Sequence, residues 1–191
     1  MNKVFICAFL LLALTSANPI RNYFESFFST STGGCTCSGI ESMVAESEGK
    51  RSCVYLDTKG IPTIGIGFNL QRSDARSLIS NLGLNYDQVV AGKQCLTDAQ
   101  ISSLFNNDLV WAKAGAANCV GSFNSQPTCV QNVLIDMTFN MGKSSLCSWP
   151  NFVKQLAAKD YAGAASNMQG SAWCGQVKNR CTRDVNIVRN C

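Results

Sequence analysis

Cysteine constrains how this chain can fold more than any other residue. Eleven occur in 191 positions, and ten of them lie beyond position 30, beginning with Cys35 and ending with Cys191. The other, Cys7, sits inside an apolar run at positions 4–14, which follows the charge of Lys3 and precedes the small residues Thr15, Ser16 and Ala17. That arrangement reads as a secretory signal peptide cut after Ala17, and the run falls short of the about 20 residues that span a bilayer. An even number of cysteines in a secreted chain predicts up to five disulfides, with pairings that spacing alone leaves open. Cys35-x-Cys37 lacks zinc-finger spacing and the chain has no histidine, so no metal is expected.

Without its leader the chain keeps about 170 residues, an ordinary size for one domain with its own core. No later apolar run reaches spanning length, so neither an anchor nor stable membrane insertion is expected. Charged residues make up 15% of the chain and the formal net charge is +4. No Lys/Arg-rich run exists, which argues against nucleic acid as a partner. The mild positive balance favours anionic surfaces such as bacterial envelopes. The absence of histidine excludes Ser-His-Asp and Cys-His nucleophile systems. Proton transfer near neutral pH then falls to carboxylates, or to a perturbed Lys, Tyr or Cys.

Residues 18–39, rich in Ser, Thr, Gly and Phe without a period, read as an N-terminal extension pinned by Cys35 and Cys37. A helix is expected from Ser38, where Ser38 and Glu41 have capping-box spacing, to a stop at Gly49, with Ile40, Met43, Val44 and Ser47 on one face. Two short strands at 53–57 and 62–68 flank a turn, and everything beyond reads as helical. Thr97 and Gln100 form a second capping box, ahead of an apolar stripe of Ile101, Leu104, Phe105 and Leu109. The segment at 128–141 is apolar nearly all round and belongs in a core, and 177–188 closes the chain as one helix. The fold class is α+β: a small antiparallel sheet lobe beside a larger helical lobe, with a cleft between them, and residues 40–191 as the catalytic domain.

The chemistry-bearing stretch begins at Glu48. This residue ends the first helix at the edge of its apolar stripe, where partial burial and the negative end of the helix dipole both disfavour a charged carboxylate. Nearby Lys and Arg oppose that effect. Asp57 ends the first strand beside a turn and is expected to be better solvated. Two carboxyl groups in unlike environments across a cleft are the working parts of a glycosidase. In the second strand Ile64, Ile66 and Phe68 alternate with Thr63, Gly65 and Gly67, so one face presents a hydroxyl and two bare backbones against which an extended sugar chain could lie.

The stretch EGKRSCVYLDTKGIPTIGIG resembles the catalytic segment of the phage-type lysozymes: Glu48, eight residues, Asp57, five residues, Thr63, then Ile-Gly-Ile-Gly. LIDMTFNMG resembles that family's central buried helix, and SAWCGQVKNRCTR its Trp-and-Asn-Arg segment. The resemblance implies a lysozyme-like fold and a peptidoglycan muramidase that needs no cofactor and works as a monomer. Glu48 would be the general acid. Asp57 would be the base or electrostatic partner, and Thr63 would position a water, inverting the anomeric carbon across a carboxyl separation of about 6.5–9.5 Å. Arg180 matches a family arginine that can pair with the acid, and Asn69, Phe139, Asn140 and Asn167 fall at positions lining the family's saccharide cleft.

Three positions depart from the familiar pattern. Phe68 replaces a histidine, which removes a structural ion pair. Asn140 replaces a glutamine, and Phe152 replaces a small polar cleft residue. Signal and cysteines suit a secreted form used for digestion or defence, located outside the cell or in a secretory or lysosomal lumen. Two other functions are compatible with the same residues: a non-catalytic antibacterial protein that binds cell-wall glycan, and a chitinase-like glycosidase on the same scaffold.

Overall fold

The computed structural model describes residues 35–57 and 59–191. The expected signal peptide and most of the extension lie outside the described residues. The first described element is helix α1 (Ile40–Glu48), which buries Ile40, Met43 and Val44 and stops at Gly49, whose φ of 73° only glycine adopts freely. The expected capping box at Ser38 does not form: Gly39 is the cap and no side chain closes it. The cysteines direct the chain there instead. Cys35 bonds Cys191 and Cys37 bonds Cys129, while the Ser38 carbonyl accepts from Asn132 Nδ2 at 3.3 Å.

Strands β1 (Arg51–Leu56), β2 (Pro62–Gly65) and β3 (Phe68–Asn69) form an antiparallel sheet in sequence order. The second strand expected at 62–68 is therefore two strands. Gly65 and Gly67 have φ of 66° and 70°, and that pair of left-handed residues reverses the chain around Ile66. The register sets Tyr55 opposite Thr63 and Thr63 opposite Asn69, one row across all three strands. The small lobe is completed by α2 (Ala75–Asn81) and α3 (Tyr86–Val90). Ile64, Phe68, Leu70 and Ile79 fill its core.

Helix α4 (Asp98–Cys119) joins the lobes. Its capping box forms as expected, with Thr97 Oγ1 accepting from the Gln100 amide and the Gln100 side chain accepting from Thr97. Ile101 and Leu104, in its first half, belong to the small core; Ala112 and Ala116, in its second, belong to the large one. At 22 residues it spans about 33 Å, enough to serve both.

The large lobe packs around α5 (Thr128–Met141), which buries eight residues, Asp136 among them. Around it lie α6 (Lys143–Cys147), α7 (Pro150–Ala157), α8 (Tyr161–Gln169), α9 (Ala172–Val177) and α10 (Asn179–Arg189). The single closing helix expected at 177–188 is broken at Lys178, whose φ is 46°, and the Cys174–Cys181 bridge spans the break. Phe152, expected to alter the cleft, is fully buried and packs edge-on against Trp149 with ring centroids 5.8 Å apart. Its ring has joined the large core, where an aromatic is more stable than in water.

All ten described cysteines are paired; the remaining bridges join Cys53 to Cys95 and Cys119 to Cys147. Cys35–Cys191 closes a sequence separation of 156 residues, and chain-entropy bookkeeping gives such a loop a stabilisation of about 5 kcal/mol. Replacing both cysteines by serine should lower unfolding free energy by about 3–5 kcal/mol in denaturant titrations, with the fold retained.

Candidate active site

Glu48 occupies the last turn of α1 with a side chain 25% exposed. Arg180 Nη1 donates to its Oε1 at 2.8 Å. The other carboxylate oxygen stands against Gly67: a Cβ added there would lie 3.2 Å from Oε2, at a φ of 70°. The glycine thus serves the turn and leaves room for the acid. Gly67 also lines the cleft, as expected of the bare strand face, whereas Gly65 does not. Gly65 abuts Ile101 of α4, 3.6 Å from the position a Cβ would take.

Arg180 is held from behind. Its Nε and Nη2 donate to both oxygens of Asp136, at 2.8 and 3.0 Å. Asp136 is fully buried on α5 and also accepts from Arg183 Nη2 at 2.9 Å. Arg183 in turn donates to the Met43 carbonyl and Ser47 Oγ of α1, and to Asp184 Oδ1. Sequence reasoning missed Asp136 as the arginine's anchor. The available signal was a lone carboxylate in a helix otherwise apolar on every face, since a buried charge requires a charged partner.

Asp184 is fully buried, and its Oδ2 has no hydrogen-bond partner. Burial, followed by the charge of Asp136, pushes its carboxyl up to about 8, with Arg183 pulling the other way. Between the ordinary aspartate range and about pH 8, burial therefore favours the protonated acid in the fold over the unfolded chain.

Asp57 lies at the end of β1. Its Oδ1 accepts from the amides of Lys59 at 2.7 Å and Ile61 at 2.8 Å, which closes the turn and fixes the carboxylate. Thr63 is 4% exposed, and its hydroxyl donates to the Ile61 carbonyl at 3.0 Å. The Oγ lone pairs remain able to accept. Tyr55, also missed by sequence reasoning, links the two acids electrostatically. Burial first, then the charges of Glu48 and Asp57, push its phenol above the ordinary tyrosine value, while Arg51 opposes them. It shares strand parity with Asp57 and stands opposite Thr63, which was the legible signal.

A cleft of ≈ 480 Å³ opens beside Gly67 and runs between β3 and helices α4 and α5. Asn69 and Phe139 line it. Asn140 and Asn167 are not among its lining residues. Asn140 Oδ1 accepts from Trp173 Nε1 at 2.8 Å, and Asn167 is half-buried on α8. Phe68 leaves no imidazole to pair with a carboxylate, yet the ion pair expected to vanish is replaced. Arg72 stacks 4.8 Å over the Phe68 ring and bonds Asp108 Oδ1 at 2.5 Å, joining sheet lobe to α4.

A cleft between a small sheet lobe and a helical lobe, with a helix-end glutamate held on an arginine behind its Gly67 wall and an aspartate in the adjoining hairpin outside its lining, is the plan of a lysozyme. The phage lysozyme family model matches residues 45–183, and the chain belongs to that family. It is 28% identical over 163 residues to probable T4-type lysozyme 1 of Dictyostelium discoideum, covering 79% of this chain and 94% of that protein. It is 30% identical over 118 residues to the endolysin of Salmonella phage P22, covering 62% of this chain and 70% of the endolysin. A match at 27% identity over 153 residues to the pre-baseplate central spike protein of enterobacteria phage T4 covers 76% of this chain and 27% of that protein. The protein is a glycoside hydrolase of the lysozyme type.

Gly67→Ala should cost about 1–3 kcal/mol from its left-handed backbone and, by displacing the Glu48 carboxylate, reduce hydrolysis at least tenfold in a turnover assay. Asp184 gives a pH signature. Between about pH 4, where an unfolded aspartate titrates, and about pH 8, the native state holds one more proton than the unfolded state. Its stabilising contribution is complete below that window and is lost as pH rises through it. Asp184→Asn, a neutral mimic, should flatten this segment of the stability–pH curve; an unchanged slope in thermal unfolding would assign the proton elsewhere.

Proposed function

We propose that the protein is a secreted muramidase that cleaves the β-1,4 bonds between N-acetylmuramic acid and N-acetylglucosamine in bacterial peptidoglycan, with inversion, in digestion of or defence against bacteria. The reading is carried by one observation: Glu48, gripped by Arg180, abuts a residue of the cleft wall, while the charge of Asp57 reaches the same Tyr55 that feels Glu48. In this reading protonated Glu48 gives its proton to the glycosidic oxygen as the bond to C1 breaks. A water attacks C1 from the opposite face, and Asp57 receives its proton or stabilises the charge that develops at the anomeric centre. Thr63, whose own hydrogen is committed to Ile61, accepts a hydrogen bond from that water and fixes its direction. Asn69 and Phe139 contact sugar in the cleft; Asn140, engaged by Trp173, and Asn167 stand outside its lining and take no sugar contact in this reading.

Arg180 is a positioning residue in this scheme. It contacts Glu48 but not the reacting bond, and it keeps the carboxyl in one orientation. The family's peptidoglycan chemistry supports the substrate. Secretion is supported by five disulfides; among the described residues no helix is long and apolar enough to cross a membrane.

Glu48→Gln should abolish clearing of bacterial cell walls while leaving the folded spectrum intact. Thr63→Ala should retain a reduced rate, because it removes water positioning rather than proton transfer. Fresh product should carry the inverted anomer; a retained anomer by NMR would rule out the roles of Asp57 and Thr63. Cleavage of chitin oligomers in preference to peptidoglycan would move the substrate to the chitinase class.

A further inference from the structure

Helix α4 turns one stripe toward the cleft: Asp108, Trp111, Ala112, Gly115 and Asn118, spaced three or four residues apart apart from the adjacent pair. Most of that stripe is small or polar. Trp111 is the exception, an indole 71% exposed at the cleft rim. The other two tryptophans, Trp149 and Trp173, pack against each other with ring centroids 6.2 Å apart and adjoin the large core. An exposed indole forgoes the burial that normally stabilises this side chain by about 2–3 kcal/mol, so its position calls for a ligand.

The surroundings state which kind. Gly115 lets α4 and α5 meet closely, a Cβ there falling 2.9 Å from Thr138 Cγ2, so the floor below the indole is shallow. Phe139 continues that floor, and Asn69, Asn118 and Lys143 supply polar groups around it. A flat aromatic beside a shallow floor edged with amides and an ammonium suits a pyranose ring, which has apolar C–H faces and a polar perimeter. The exposed Val110 is next in sequence but is not part of the cleft lining, whereas Trp111 is.

We infer that Trp111 forms a stacking subsite for an N-acetylhexosamine ring of the glycan strand, away from the scissile bond, and so sets how long a saccharide the enzyme grips. The inference rests on the muramidase reading and is tested separately from it. Glu48→Gln protein, which cannot turn over, is titrated with a glycan tetrasaccharide of alternating N-acetylglucosamine and N-acetylmuramic acid, with and without stem peptides. Trp111→Ala in that background should weaken binding of both ligands about tenfold, the low end of what stacking on an aromatic ring contributes, and should lose the change in tryptophan fluorescence. Trp111→Phe should recover most of the affinity. In the active enzyme Trp111→Ala should raise KM for cell walls about tenfold with kcat within twofold and the melting temperature unchanged. Equal binding by Trp111→Ala and its parent overturns the subsite, as does a loss confined to the peptide-bearing ligand, which would make the indole a peptide contact. If the unmutated enzyme neither clears walls nor binds the tetrasaccharide, the muramidase reading itself fails.

Discussion

The Arg180 guanidinium is the interaction on which the rest of the site depends. It joins three helices at one point: its own, α5 through Asp136, and α1 through Glu48. An arginine fork is suited to this, because a planar set of donors can grip one carboxylate with two bonds and reach a second with a third. Asp136 could not remain ionised in the core without a partner, and stranding such a charge costs about 3–5 kcal/mol. Folding energy therefore fixes the arginine, and the arginine fixes the acid. The kink at Lys178 and the Cys174–Cys181 bridge across it begin α10 just where Arg180 falls in its first turn. Arg183, one turn further along, repeats the pattern by tying Asp136 and Asp184 to the backbone of α1.

The sheet lobe is aligned by a comparable device at its other edge. Arg72 lies over Phe68 and reaches Asp108 on α4. Burial pushes the Asp108 carboxyl up, against the pull of Arg72, while Asp74 shares the same guanidinium. Arg72 thus supplies both an aromatic contact to Phe68 and an ion pair to Asp108. Phe68 meanwhile packs fully into the small core. Disulfides at Cys53–Cys95 and Cys119–Cys147 brace the ends of α4 itself. The helix that separates the lobes is thus anchored along its length.

Local signals in the sequence carried a good part of this. The glycine at 49, the capping box at Thr97 and the all-round apolarity of 128–141 each act within a few residues, and each appears where its chemistry requires. The Glu48, Asp57 and Thr63 spacing with its two glycines was legible for the same reason: a helix end, a turn and a tight reversal are short-range structures. Where short-range and long-range demands conflicted, the long-range demand prevailed. Ser38 lost its cap to two disulfides, a seven-residue strand reversed at paired left-handed glycines, and Phe152 left the cleft for the core.

Alone, the sequence determined the helix ends at Gly49 and Thr97, the even cysteine count that calls for cross-links, and the absence of histidine chemistry. Tertiary structure decided which cysteines pair, that Asp136 and not solvent holds Arg180, that Asp184 is buried beside Asp136, and that Trp111 lines the cleft. These are contacts between residues up to 156 positions apart. Such contacts depend on packing two lobes around one helix, and no spacing rule within a single element encodes them.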